Sequence, residues 1–130
     1  MLRPRERGIY LVTNEILQAL NSLPNIGLLN LFIKHTSAAL SINENADPDV
    51  RVDMKYILDK LVPDIDANYT HTDEGPDDAS SHTKTSIIGP SLTIPITRGR
   101  LNLGTWQGVY LLEFREYKSG RHIIATITGE

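Results

Sequence analysis

The chain contains no cysteine. That excludes disulfides, thiolate metal ligands and cysteine nucleophiles together, and it permits a reducing compartment without demanding one. Aromatic residues are scarce, at 6% of 130 residues with a single tryptophan, and they do not interleave with basic residues. An RNA-binding sheet that stacks bases on exposed rings is therefore not expected. Positive charge is not in excess either. The net charge of −3 supplies no overall attraction to nucleic acid or anionic lipid. No apolar run approaches the roughly 20 residues that cross a bilayer, and Met1 to Gly8 lack the apolar centre of a signal peptide. A P-loop and a GxGxxG turn are both missing, and Ser37, Ser80 and Ser81 lack a nucleophile-elbow context. The expectation is a soluble, cytoplasmic protein with no membrane and no nucleic-acid partner.

What is present reads as one ordinary globular domain over residues 1–130, with 40% hydrophobic and 22% charged residues and no internal repeat. A strand is predicted at Gly8–Val12. Thr13 then caps a helix carrying Ile16, Leu17, Leu20 and Leu23, ended by Pro24 and Gly27. Leu28–Lys34 and Ala39–Glu44 alternate as strands. Asp47 as cap, Pro48 as first helical residue and Asp49 in the first turn open a helix that Pro63 stops. Asp77 or Asp78 caps a third helix to about Ile88, closed by Gly89. Strands follow at Ser91–Thr97, Leu101–Leu103, Gly108–Arg115 and Arg121–Thr128, with turns at Arg98-Gly99 and Ser119-Gly120. Pro95 belongs on an edge or at a bulge. Helices mixed early with strands clustered late give α+β with a largely antiparallel sheet.

Chemistry concentrates in His71-Thr72-Asp73-Glu74-Gly75-Pro76-Asp77-Asp78, followed by His82. No Lys or Arg falls between Asp64 and Asp78, so these carboxylates need a cation, basic side chains from elsewhere, or water. Imidazole with carboxylate suits zinc and its neighbours; a solvated acidic loop is the alternative. His71 and Asp73 share one side of an extended segment. With His82 and with His35 at the end of an apolar strand face, three imidazoles would leave a position open for substrate. A buried, hydrogen-bonded core histidine is the other reading of His35. Asn43 and Glu44 are the two residues of their junction that capping leaves unexplained. Trp106, between glycines, either stacks a ligand or fills a core beside a bulge. His122 is expected to be structural. Basic residues in the last third, among them Arg98, Arg115 and Arg121, either hold phosphate or answer the acidic segment.

Four motifs carry a resemblance: His35-Thr36-Ser37-Ala38-Ala39-Leu40; Ile42-Asn43-Glu44-Asn45-Ala46-Asp47-Pro48-Asp49-Val50; the segment His71 to Asp78; and Leu101-Asn102-Leu103-Gly104-Thr105-Trp106-Gln107-Gly108. In this order, over Gly8 to Gly129, the chain resembles the YjbQ-type family, whose members are often labelled secondary thiamine-phosphate synthase. The resemblance implies a mixed β-sandwich with flanking helices, a homotrimer, and a metal or small-molecule site around His35, Glu44, His71 and His82. The label implies joining a pyrimidine diphosphate to a thiazole phosphate with release of pyrophosphate, assisted by a divalent cation. A weak side activity explains the label equally well. Two departures stand out. Ala79-Ser80-Ser81-His82-Thr83-Lys84 replaces a Met-Pro-x-His-Ile-Lys run, and Leu112-Glu113-Phe114-Arg115 replaces Cys-Glu-His-Arg, so a histidine is missing at position 114.

The resulting expectation is a divalent-metal site, zinc or magnesium, acting on a phosphorylated or anionic small molecule. His35, His71 and His82 are the expected ligands. Glu44 is the expected general base, with Asp73 in support, and Asn43, Lys84, Arg98 and Trp106 bind substrate. A non-catalytic metal- or metabolite-binding trimer is the alternative, and a metal-dependent hydrolase a further one.

Overall fold

The computed structural model describes residues 1–116 and 118–130. The chain runs β1 (Leu2–Arg5), β2 (Gly8–Leu11), α1 (Thr13–Ala19), β3 (Ile26–Ile33), β4 (Ala38–Glu44), α2 (Pro48–Leu61), α3 (Asp78–Ile88), β5 (Ser91–Thr97), β6 (Arg100–Leu101), β7 (Gln107–Glu113), β8 (Ser119–Arg121) and β9 (Ile123–Gly129). The strands form a pair β1-β8, a three-stranded sheet β2-β7-β4 and a four-stranded sheet β6-β5-β3-β9. Every pairing among the described residues is antiparallel.

Alternation along β3 turns Leu29, Leu31 and Ile33 inward, where Ile94 and Ile96 of β5 join them. They meet Leu40, Val109 and Leu111 from the three-stranded sheet, with Val12 and Ile16 closing one side. Each such side chain contributes about 1.5–3 kcal/mol on burial. The opposite face of the three-stranded sheet presents Ala39, Tyr110 and Leu112, with Phe114 just beyond it, to Met54, Leu58 and Ile88. β7, covered on both faces, is therefore buried almost continuously. The layers are sheet, sheet and helices: mixed α+β, as expected. The outer face of the four-stranded sheet leaves Ile26, Leu28, Phe32 and Ile124 between 44 and 65% exposed.

Several local expectations are corrected. Ser119-Gly120 is strand, not turn, because β8 pairs with an N-terminal strand that has no alternation to announce it. Thr13 does not cap α1; its hydroxyl accepts from the Val109 backbone N–H at 2.9 Å. The helix ends at Ala19, before Leu20 and Leu23. Gly27 lies inside β3 rather than ending a helix, where an added Cβ would stand 2.1 Å from the Thr128 carbonyl oxygen. Asp47 does cap α2, accepting from Asp49 N–H at 2.9 Å. Asp77 precedes α3, but its side chain makes no capping bond. The Pro95 carbonyl accepts from Asn102 N–H at 2.8 Å, so its missing donor faces the side where β6 covers only Ile96 and Thr97.

Candidate metal centre

α3 begins at Asp78, which places Asp78 and His82 four residues apart on one helix face. The preceding segment folds His71 back over them. One ligand atom from each of His71, Asp78 and His82 lies within 4.8 Å of the others. His71 Nε2 is 2.5 Å from Asp78 Oδ2, His82 Nε2 is 3.2 Å from Asp78 Oδ1, and the two rings are 5.3 Å apart. Asp78 is fully buried, while both histidines reach solvent.

The tautomer of His82 follows from its other nitrogen. Nδ1 lies 2.7 Å from the Thr36 carbonyl oxygen, which only accepts, so Nδ1 carries the proton. Nε2 is then turned toward Asp78 Oδ1, the oxygen that also accepts from Arg115 Nη1, and a proton or a metal on Nε2 would complete the contact. A ring N–H donated to a backbone carbonyl is also how metal-ligating imidazoles are usually oriented.

Basic side chains answer the acidic segment directly. Arg115, buried at the end of β7, donates Nε to Asp77 Oδ2 at 3.1 Å, Nη1 to Asp78 and Nη2 to the Glu74 carbonyl at 3.0 Å. Arg7 bridges Asp59 at 2.8 Å and Asp64 at 2.6 Å. Burial alone would raise the pKa values of these acids. Hydrogen bonds from Lys55, Lys84 and Arg7 to Asp59, from Arg7 and Ser80 to Asp64, and from His71 to Asp78, with the charges beside them, reverse that and hold all three below their ordinary values. Their stabilisation is present above the unfolded carboxyl value of about 4 and is lost as pH falls through the lower folded values. Urea midpoints are expected to drop below about pH 4 as these acids protonate, a fall separate from any between about pH 7 and 5, which comes from His35, whose lowered pKa makes its protonation costly to the fold. A flat profile down to about pH 3 would mean these pairs contribute nothing.

His35 is not part of the cluster. Its Nε2 accepts the His122 backbone N–H at 2.8 Å, and its ring stacks on His122 at 6.0 Å. Burial, then the charges of Arg121 and His122, lower its pKa, so the ring is neutral with its one lone pair already used. It lines, with Thr36, His82, Thr85, Ser86 and Pro90, an open depression of about 500 Å³ beside the cluster. His122, expected to be structural, serves here through its backbone.

The other expected residues lie elsewhere. Asp73 is exposed in a turn, and Asp78 supplies the carboxylate instead. Glu44 accepts from Asp47 N–H at 3.0 Å and so is part of the junction that capping explains. Asn43 accepts from Glu44 N–H at 2.8 Å and donates to Met54 Sδ at 3.2 Å. Both sit at the far end of β4 from Ala38, about 20 Å away at strand spacing. Trp106 is exposed near them, its carbonyl accepting from Asn45 N–H at 2.9 Å. Lys84 is buried, with Nζ 2.5 Å from Asp59 and 5.6 Å from the Phe114 ring centre, so it holds the fold rather than facing a substrate. Phe114, where the resemblance implied a histidine, is a core residue. Arg98 occupies the β5–β6 turn at the opposite end of its sheet from Pro90.

Asp78 as the carboxylate and the Thr36 carbonyl are the parts that pattern reading misses, whereas Arg115 answers the acidic segment as one of the two expected readings has it. The i, i+4 spacing of Asp78 and His82 is the available signal once a helix is drawn from Asp78.

The YjbQ-like UPF0047 family model matches residues 1–130. UPF0047 protein YjbQ of Escherichia coli O157:H7 is 50% identical over 99% of this chain and 94% of its own length. Its Salmonella typhimurium counterpart is also 50% identical, over 99% and 94%. Among solved structures, the conserved hypothetical protein TT1486 of Thermus thermophilus is similar with a TM-score of 0.86 at 31% identity, covering 98% of this chain and 96% of that one. An uncharacterized YjbQ/UPF0047 protein of Clostridium acetobutylicum gives 0.80 at 32% identity, over 96% and 97%.

Proposed function

This chain belongs to the YjbQ/UPF0047 family, and on that footing we propose that it holds one divalent metal ion between His71, Asp78 and His82 and uses it on a phosphorylated or otherwise anionic small molecule. The observation that carries the reading is the orientation of His82. Its Nδ1–H is committed to Thr36, so Nε2, the nitrogen turned toward the buried carboxylate, is the one left to take a proton or a metal. Two imidazoles and one carboxylate favour zinc over magnesium, which prefers an all-oxygen shell.

Each residue has a part in this arrangement. Thr36 fixes the His82 ring, and Arg115 fixes Asp78 while leaving Oδ2 toward His71. The depression beside His82 has room for a small molecule and offers the hydroxyls of Thr36, Thr85 and Ser86. When bound, the metal would polarise a phosphoryl oxygen or a departing pyrophosphate. The specific reaction we propose is the one the family label implies, a pyrimidine diphosphate joined to a thiazole phosphate with loss of pyrophosphate. The exposed Ile26, Leu28, Phe32 and Ile124 support self-association through the outer sheet face, and the cytoplasmic homotrimer is proposed with the family resemblance.

A second reading is favoured by one observation: Asp78 already has Arg115 and His71 as partners. On it, the cluster binds metal or ties down the acidic segment without catalysis. Zinc titration of untagged, chelator-treated protein by calorimetry separates the readings. The expected result is about one zinc per chain, with affinity reduced about tenfold or more in His71→Ala and His82→Ala while circular dichroism is unchanged. No saturable zinc binding, or binding as tight as wild type's in both variants, would remove the metal from this cluster. Product from the two phosphorylated substrates should scale with protein and vanish in His82→Ala; product that persists there arises elsewhere.

A further inference from the structure

β5 and β6 are joined by two residues, with Thr97 paired directly to Arg100. Both turn residues have positive φ, Arg98 at 55° and Gly99 at 74°. Such a mirror-image turn matches the twist of a hairpin and ordinarily begins with Asn, Asp or Gly. Here it begins with arginine. Among the described residues, Arg98 is the one non-glycine in that region of backbone space, so the position holds a long cation where asparagine would sit with less strain.

Charge sets this turn apart a second time. Arg5, Arg7, Arg115 and Arg121 all engage carboxylates with largely buried side chains. Arg98 and Arg100 are exposed, and among the described residues no carboxylate lies within ion-pair distance of either. They flank, with Thr97, Leu101 and Asn102, an open concavity of about 580 Å³. Its base is tied together: Asn102 donates Nδ2 to Thr97 Oγ1 at 3.2 Å and its backbone N–H to the Pro95 carbonyl at 2.8 Å. Gly99 N–H is anchored on the Asn25 carbonyl at 3.2 Å.

Two unneutralised guanidinium groups beside one concavity, on a turn held at both sides, match a dianion with several oxygens. Guanidinium forks fit phosphoryl oxygens in paired hydrogen bonds. We propose that the β5–β6 hairpin binds the phosphate or diphosphate end of a small molecule through Arg98 and Arg100. This site is separate from the metal centre. Pro90 borders the depression beside His82, and Thr97 lies at the other end of the seven-residue β5, about 20 Å further on at strand spacing. The proposal does not rest on metal binding.

Calorimetric titration of the full chain with pyrophosphate, in the presence of a chelator and at low salt, tests it. Wild type should bind saturably and lose affinity as salt rises. Arg98→Asn places a residue the turn prefers, so its urea midpoint should be unchanged or higher while pyrophosphate affinity falls about tenfold or more, the size expected for one charged guanidinium–phosphate contact. Arg100→Gln should weaken binding similarly, and His82→Ala should bind as wild type does. Three results would overturn the assignment: no saturable binding by wild type, undiminished binding by Arg98→Asn, or malonate binding as tightly as pyrophosphate. Pyrophosphate binding lost in His82→Ala but kept in Arg98→Asn would move the anion to the histidine cluster and equally end it.

Discussion

Arg115→Ala is expected to cost about 3–5 kcal/mol of folding stability, because breaking a buried ion pair from one side removes the main countercharge of the acids left behind. Asp78 has no solvent exposure and Asp77 has 5%, so water does not replace the guanidinium. Besides Nε to Asp77, Nη1 to Asp78 and Nη2 to the Glu74 carbonyl, the Arg115 backbone N–H reaches Glu113 at 3.2 Å. Removing the side chain takes the one arginine from both buried carboxylates, leaving Asp77 the Glu116 backbone N–H and Asp78 the two imidazoles, and it unpins the start of α3. A loss of that size is a large share of the roughly 5–15 kcal/mol that holds an ordinary domain together. Urea denaturation measures it if the variant folds. A double variant, Arg115→Ala with Asp78→Asn, should recover part of the loss, since the buried charge goes with its partner. A cost below about 1 kcal/mol, or no recovery, would show that solvent screens this pair as it does surface ion pairs.

The same residue explains what is readable from the chain and what is not. Asp47 and Pro48 announce α2 because capping is a local event, settled within three residues. The inward row of β3 is legible because burial imposes a period of two. Pairing between β1 and β8 is not, since a short polar segment joined across more than a hundred residues leaves no periodic trace. At the site, His71 and His82 can be found because their neighbourhood is visibly acidic. Sequence reasoning puts the carboxylate at Asp73 because it takes the segment as extended, whereas a turn leads into a helix there. Glu44 stands out in the sequence as a carboxylate without a capping role, yet Asp47 N–H lies within its reach three residues on. Which cation answers which acid depends on tertiary contact: Arg115 and Arg121 sit six residues apart, and one goes to Asp77 and Asp78 while the other goes to Glu113.

Saturating zinc is expected to raise the melting temperature of the wild-type chain by several degrees, and Asp78→Asn is expected to abolish the rise. A ligand that binds only the folded state adds about 2.7 kcal/mol when present at a hundred times its dissociation constant. For a domain of this size that corresponds to roughly 10 °C. Asp78→Asn keeps the shape and the amide oxygen but removes the charge that the two imidazoles face. It also removes the partner of Arg115, so its metal-free melting temperature should fall. The two effects separate the competing accounts of the cluster. If Asp78 serves only to pair with Arg115, the variant melts lower and zinc moves neither protein. If the carboxylate holds a metal, zinc shifts the wild type alone, and the gap between the proteins widens with zinc concentration. His82→Gln offers the cleaner control, because His82 is partly exposed and the Arg115 ion pairs go to Asp77 and Asp78. It should melt near wild type without zinc and respond weakly with it. A zinc-induced rise of equal size in all three proteins would place the metal on other side chains.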